Sequence, residues 1–317
     1  MTHGRKLGLM AIAGLFAAGA MFSTASAQEG PNTGAISLSA SLDWTNEYWF
    51  RGIPQEDQGF IIQPGFDVSV ALWSNDEFSV DAYIGTWNSL HFEAPTGNGN
   101  PGSATDTWYE ADWYGGFSFG LPMNLWLDVS YVTLYGPNAG GNFADEVDIA
   151  FGLDDSEMWG DTGIPGWTGL QPYVLFAIET DAGSDGAAPA VNQETGVYLE
   201  LGIAPGFTLV ESEDYPIDLT IPVTVGLGLD DYYQYDDRST VAVEDEDETF
   251  GFFQIGVVAS MPLSAIPAEF GSWSVSAGVH VLVLNEDFIE NSINAPAPAP
   301  GYDTVRVLGT VGIAMEY

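Results

Sequence analysis

Apolar and polar side chains alternate along this chain in one segment after another, and twelve such segments can be marked out. The first runs from Ile36 to Phe50, with Ile36, Leu38, Ala40, Leu42, Trp44, Tyr48 and Phe50 on one face. The next four are Phe60 to Ser74, Phe78 to His91, Trp108 to Leu121 and Leu125 to Tyr135. The sixth is marked by Val147, Ile149, Phe151 and Leu153, and the seventh by Leu170, Val174, Phe176 and Ile178. Thr195 to Ile203 and Ile217 to Leu229 follow, then a tenth segment with Phe253, Ile255, Val257 and Met261, an eleventh from Trp273 to Val283, and a closing one from Val305 to Tyr317. Successive side chains of a strand point to opposite faces, so each segment reads as a β-strand with one apolar side. Regular recurrence without a linker predicts one domain, Gln28 to Tyr317, and an all-β fold: an antiparallel up-and-down transmembrane β-barrel of about 12 strands.

Periodicity separates two faces without saying which is inside. The apolar rows carry no charge, whereas the opposite rows carry Asp43, Glu47, Asp67, Asp81, Glu110, Asp112, Asp128, Asp148, Glu179, Glu200, Asp218, Arg306 and Glu316. A soluble, secreted acidic barrel would bury the apolar rows; an outer-membrane barrel would turn them to lipid and enclose the acids in a hydrated lumen. Segment length favours the membrane, since a tilted spanning strand needs about 9–11 residues and soluble strands usually have about five or six. Trp44, Tyr48, Trp73, Trp113, Tyr135, Trp167 and Trp273 lie towards segment ends, where aromatic girdles would meet the headgroups.

The two ends of the chain agree with export to an envelope. Met1 to Ala27 has a basic start, an apolar stretch from Leu7 to Phe22 and Ala25-Ser26-Ala27 before Gln28, the form of a cleaved signal peptide. Tyr317 closes the last alternation with an aromatic residue, which is similar to the assembly signal of outer-membrane barrels. Outer-membrane lipid and the periplasmic chaperone and assembly machinery are the partners this implies. The absence of cysteine removes disulfides, thiol catalysis and thiolate metal sites. Long connections at Asp154 to Thr168, Pro205 to Pro216 and Pro262 to Ser272 fit poorly with short periplasmic turns. The Pro-Ala run Pro296 to Pro300 reads as an extended spacer.

Charge sharpens the picture. The chain has 45 acidic and five basic residues, a formal net charge of −40, and beyond the leader its only basic residues are Arg51, Arg238 and Arg306. Such a surface excludes nucleic acid as a partner, because phosphate binding needs a basic footprint. A hydrophobic content of 46% argues against disorder.

The stretch Asp43-Trp44-Thr45-Asn46-Glu47-Tyr48-Trp49-Phe50-Arg51-Gly52-Ile53-Pro54-Gln55 resembles the opening of the TorF-type porins, a family of bacterial outer-membrane β-barrels assigned by prediction. Gly65-Phe66-Asp67 and Tyr83-Ile84-Gly85-Thr86-Trp87 continue the likeness. The resemblance implies the barrel and an outer-membrane location. Strong acidity, absent lysine beyond the leader and long later loops depart from it, so solute preference does not carry across.

With the acidic rows inside, Asp43, Asp67, Asp81, Asp112, Asp128, Asp148, Glu179, Glu200 and Asp218 would line the lumen, with Arg306 as its basic group. Rings of carboxylates concentrate cations, so the expected function is passive diffusion of small cationic or neutral solutes. The alternatives are a non-conducting surface binding or adhesion barrel and the soluble acidic barrel. Asp236, Asp237, Glu244, Asp245, Glu246, Asp247 and Glu248 form the densest acidic loop. Oxygen ligands suit weak Ca²⁺ or Mg²⁺ binding there, but no EF-hand spacing is present, no specific metal site is assigned and no cofactor is expected. A hydrolase would need a general base. His91 near Ser89 and His280 near Ser276 are the only pairings beyond the leader, neither lies in a recognisable motif, and no enzyme activity is expected.

Overall fold

The structure, a computed structural model, describes residues 32, 34–56, 59–92, 107–138, 141–160, 162–181, 195–212, 215–235, 246–291 and 303–317. The leader, Arg238, the acidic-loop residues Asp236, Asp237, Glu244 and Asp245, and the run Pro296 to Pro300 lie outside the described residues. In chain order the elements are β1 (Ile36–Thr45), β2 (Tyr48–Phe50), β3 (Ile53–Glu56), β4 (Ile61–Ser74), β5 (Ser79–His91), β6 (Trp108–Gly120), β7 (Leu125–Gly136) and β8 (Gly141–Leu153). They continue with β9 (Trp167–Gly169), β10 (Tyr173–Asp181), β11 (Val197–Ile203), β12 (Gly206–Val210), β13 (Ile217–Thr220), β14 (Val223–Asp230), β15 (Gln234–Tyr235) and β16 (Glu246–Asp247). The chain ends with β17 (Phe250–Pro262), β18 (Ser272–Leu284), the short helix α1 (Glu286–Asn291) and β19 (Val305–Glu316).

Twelve of these strands close into an antiparallel barrel, in the order β1, β4, β5, β6, β7, β8, β10, β11, β14, β17, β18 and β19. The seam joins first strand to last, from Ser39↔Glu316 to Thr45↔Thr310. Leu38 and Tyr317 exchange backbone hydrogen bonds at 2.7 and 2.8 Å, so the last residue completes the ring. Both termini emerge at one end, called here the terminal end; the other is the loop end.

Outward positions are apolar around the whole circumference. Leu42, Phe66, Ile84, Trp113, Phe117, Tyr131, Phe151, Leu201, Val257, Val279 and Val311 are all exposed. Acids, serines and glycines of the opposite rows turn inward. A water-soluble protein cannot carry an apolar belt of this extent, and its inside-out polarity disposes of the soluble barrel.

The strand boundaries depart from the sequence reading in three places, each with a local cause. The first alternation stops at Thr45, and Tyr48 to Phe50 turns away to pair with β3 across a two-residue turn at Arg51-Gly52. Both turn residues have positive φ, 48° and 82°, the signature of a tight hairpin of type I′. Tyr48 is therefore buried inside the barrel and does not join an outer girdle. Secondly, Tyr109 shares the parity of outward Trp113, but the register slips between Ser89 and Leu90 and leaves it as an extra residue on β6. A bulge re-aims the side chain, and Tyr109 swings over His91, its ring stacked at 4.5 Å.

Thirdly, two of the three long terminal-end connections contain strand, while the third, Pro262 to Ser272, holds a short 3-10 turn at Ala268–Phe270. Prolines cannot donate to a ladder, and Pro172, Pro205 and Pro222 interrupt three neighbouring strands at one level. Their carbonyls still accept across the break, from Leu153, Ile221 and Gly256 respectively at 2.9–3.1 Å. Beyond it β9, β12 and β13 extend the sheet below the ring. Asp155 pins this extension, accepting from the Leu170 and Gln171 amides and from the Trp159 indole at 2.6 Å.

Candidate functional site: the lumen and its loop-end closure

The hairpin β2–β3 folds into the loop end of the barrel. Trp49 and Ile53 have no exposed surface and pack with Tyr232, Tyr233, Phe252, Leu282, Phe288 and Ile289. Loop residues after β14 and helix α1 thus join the hairpin in a single apolar closure. Gly52 lies 3.0 Å, measured from where a Cβ would stand, from the Phe252 side chain, so the turn can seat only without one.

Arg51 holds the tip of this hairpin. Its guanidinium makes two hydrogen bonds to Glu146 of β8, at 2.7 and 2.9 Å, and one to the Tyr232 hydroxyl at 3.0 Å. It also lies over the rings of Phe50 and Tyr198, 4.7 and 4.5 Å from their centroids. The Tyr233 hydroxyl donates to the Arg51 carbonyl at 2.8 Å. Burial alone would oppose the arginine charge; the Glu146 carboxylate beside it outweighs that and keeps it protonated. Burial likewise holds the Tyr232 and Tyr233 phenols well above their ordinary range, so both stay neutral, Tyr232 accepting from the guanidinium and Tyr233 donating to the carbonyl.

The base of the hairpin has a second anchor. Arg306 donates to Glu47 at 2.9 Å and lies over the Trp49 ring, whose indole N–H donates to the same carboxylate at 2.8 Å. On the far side Tyr48 donates to Glu110 at 2.8 Å and Tyr109 to Gln55 at 2.6 Å. Burial, reinforced by Glu110, raises the Tyr48 phenol. Two of the three arginines beyond the leader therefore fasten one hairpin to the wall.

The acids expected to line the lumen fall into distinct settings. Asp43, Asp67 and Asp81 face inward and are half-buried, among Ser39, Ser41, Ser118, Ser276 and Thr310. Asp67 accepts from Ser39 at 3.1 Å and from Tyr114 at 2.6 Å, across Gly85, where a Cβ would collide with both. Asp128 accepts from Tyr83 at 2.7 Å, and Glu200 from Tyr173 and Tyr198 at 2.7 and 2.6 Å. Asp112 and Asp148 are inward and fully buried near the Arg51 tip. Glu179 sits at the loop-end rim, accepting the Gly196 amide, and Asp218 belongs to the extension, accepting from Thr208.

Arg306 is inward, but its partner is the hairpin, and Arg51 is a second inward base that parity alone did not identify. The signal for it was present: an Arg-Gly pair, fit for a two-residue turn, between Tyr48-Trp49-Phe50 and Ile53, after a strand that had run ten residues. In the acidic loop, Asp247 accepts the Asp231 amide and Glu248 accepts from Asn285. Among the described residues no group of three or more acids and histidines is arranged to hold a metal ion.

Ser89 and His91 do meet, at 2.9 Å, with Glu56 3.9 Å beyond the second ring nitrogen. Ser89 has no exposed surface and His91 is buried in the structure. His280 meets Gln254 at 3.3 Å, while Ser276 stands four residues down the strand, about 13 Å away.

Residues 28–160 match a family model described as a bacterial protein of unknown function (Gcw_chp). That stretch carries the hairpin and the strands from β1 to β8. No curated protein matches the chain. Among solved structures, it is similar to a bacterial polysaccharide outer-membrane secretin at 8% identity and a TM-score of 0.45, over 90% of this chain and 98% of that one. It is also similar to LpxR from Salmonella typhimurium, at 11% identity and a TM-score of 0.43 over 88% and 99% of the two chains. An outer-membrane channel from Pseudomonas putida F1 is comparable, at 6% identity and 0.43 over 91% and 97%. The barrel itself rests on this chain's own strand pairing.

Proposed function

We propose that the protein is an outer-membrane channel for small cationic or neutral solutes, closed at its loop end by the β2–β3 hairpin. One observation carries the reading: apolar rows face outward around a closed ring while carboxylates and small polar groups face inward. The outward belt requires lipid, and an antiparallel barrel of this kind has the polarity of the bacterial outer membrane. The signal peptide, the terminal aromatic Tyr317 and the TorF-type resemblance at 43–55 support the same location.

Among the described residues inward acids outnumber inward bases, and the two arginines there, Arg51 and Arg306, are engaged by Glu146 and Glu47. The solvent-reached part of the lumen keeps Asp43, Asp67 and Asp81 with no arginine beside them in the described hydrogen bonds and ion pairs. Cations are enriched there and anions depleted. Hydrophobic filling at the loop end favours a second reading, a non-conducting scaffold that presents its loops to a partner. Planar-bilayer recordings under a salt gradient separate the two. The channel reading expects a cation-selective reversal potential that weakens in Asp67→Asn; anion selectivity, or silence even after Arg51→Ala, leaves the scaffold.

A further inference from the structure

The Arg51 guanidinium occupies a cage that is built for its shape. Glu146 meets it edge-on with two hydrogen bonds, Phe50 and Tyr198 lie 4.7 and 4.5 Å from its carbon, and Tyr232 adds a hydroxyl at 3.0 Å. A planar fork pairs with a carboxylate through two parallel hydrogen bonds and lies flat on rings; a compact ammonium is drawn to a ring face but cannot make that paired contact. Asp148 completes the cage and is unfinished. It is 3% exposed, it lies beside the Glu146 carboxylate, and its nearer oxygen stays 3.9 Å from Arg51, outside hydrogen-bond reach of the guanidinium. The tether explains the shortfall: Arg51 sits at φ 48° in a two-residue turn, a region that is unfavourable for a residue with a side chain. A free guanidinium has no such constraint and can reach both acids.

We propose that the lumen contains a recognition site for guanidinium-bearing organic cations, formed by Glu146, Asp148, Phe50, Tyr198 and Tyr232, with Arg51 as its tethered occupant in the closed conformation. A solute of this class competes with Arg51, releases the hairpin and passes along the acidic lumen. Phe50 leaves with the hairpin, so the wall residues Glu146, Asp148 and Tyr198 supply the lasting selectivity. This deepens the channel reading and rests on it.

Arginine amide and lysine amide, equal in charge, are the probes. In wild-type protein in planar bilayers, millimolar arginine amide on the loop side raises the open probability, and lysine amide needs at least a tenfold higher concentration. Arg51→Ala is open without either probe, and its current is blocked by arginine amide with the same preference; adding Glu146→Gln erases it. Equal responses to the two amides in a conducting protein overturn the site and leave the channel standing. If neither protein conducts, the channel reading fails. The site is then decided by heat-unfolding in detergent, where arginine amide alone raises the midpoint of Arg51→Ala; no selective rise overturns it. Should Arg51→Ala fail to fold, Arg51→Lys, which keeps charge and bulk, carries the same comparison.

Discussion

The two ends of the lumen use the same inward rows to opposite effect. Towards the terminal end the inward side chains on β1, β4, β5, β6, β18 and β19 include Ser39, Ser41, Asp67, Asp81, Ser118, Ser276 and Thr310, each in partial contact with solvent, whereas Trp126, Tyr173 and the buried Asp128 turn inward on β7 and β10. Towards the loop end the same rows carry Trp87, Tyr198, Phe252, Leu282 and Leu308, all buried against the hairpin. The difference lies less in the wall than in what fills it. An inward carboxylate in the open half can stay hydrated. In the closed half Glu47, Glu110, Glu146 and Glu200 find donors in arginine, tyrosine or tryptophan, and Asp148 has the Arg51 guanidinium 3.9 Å away. Burying a charge without such a partner is the costlier course.

The contrast can be broken most directly at Arg51. Arg51→Ala leaves Glu146 and Asp148 buried without a cation, and the expected loss is about 3–5 kcal/mol in urea unfolding from detergent or bilayer. Asp67→Asn, its counterpart in the open half, keeps an acceptor for Ser39 and Tyr114 and is expected to cost no more than about 1 kcal/mol. Equal losses would mean that the two halves are not different environments.

The inside-out polarity gives the next largest effect. Val279 is outward at mid-strand and exposed, so Val279→Arg is expected to cost about 2–4 kcal/mol in membrane stability. Ser276→Arg, inward on the same strand, is expected to fold with little penalty and to lower cation selectivity in reversal-potential measurements. A reversed order would turn the barrel's faces around.

Arg306→Ala sharpens the picture at smaller cost. The pair with Glu47 is partly exposed, so the expected loss is about 1 kcal/mol, read from the same unfolding curves. It loosens the base of the hairpin while Arg51 still holds the tip, and brief channel openings are the expected sign.

Alternation revealed the barrel because a period of two records which residues share a face, and a one-residue slip would reverse every side chain. It failed where the chain leaves the wall. Tyr48 and Phe50 keep the parity of Trp44, yet two non-pairing residues, Asn46 and Glu47, let the chain turn inward. Tyr109 keeps the parity of Trp113, yet a bulge reverses its aim. The acids were identifiable, but not their partners. Glu146 opposite Arg51 is a contact across 95 residues, set by barrel closure, and no local pattern encodes it.

The central claim is that an inward hairpin latched by Arg51 closes an otherwise acid-lined, cation-preferring lumen. Single-channel recording of wild type beside Arg51→Ala, under a salt gradient, tests it most directly. The account predicts rare openings in the wild type and sustained current in the variant, with a reversal potential on the cation side. A wild type that conducts as freely as Arg51→Ala, or a folded variant that stays silent, would contradict it.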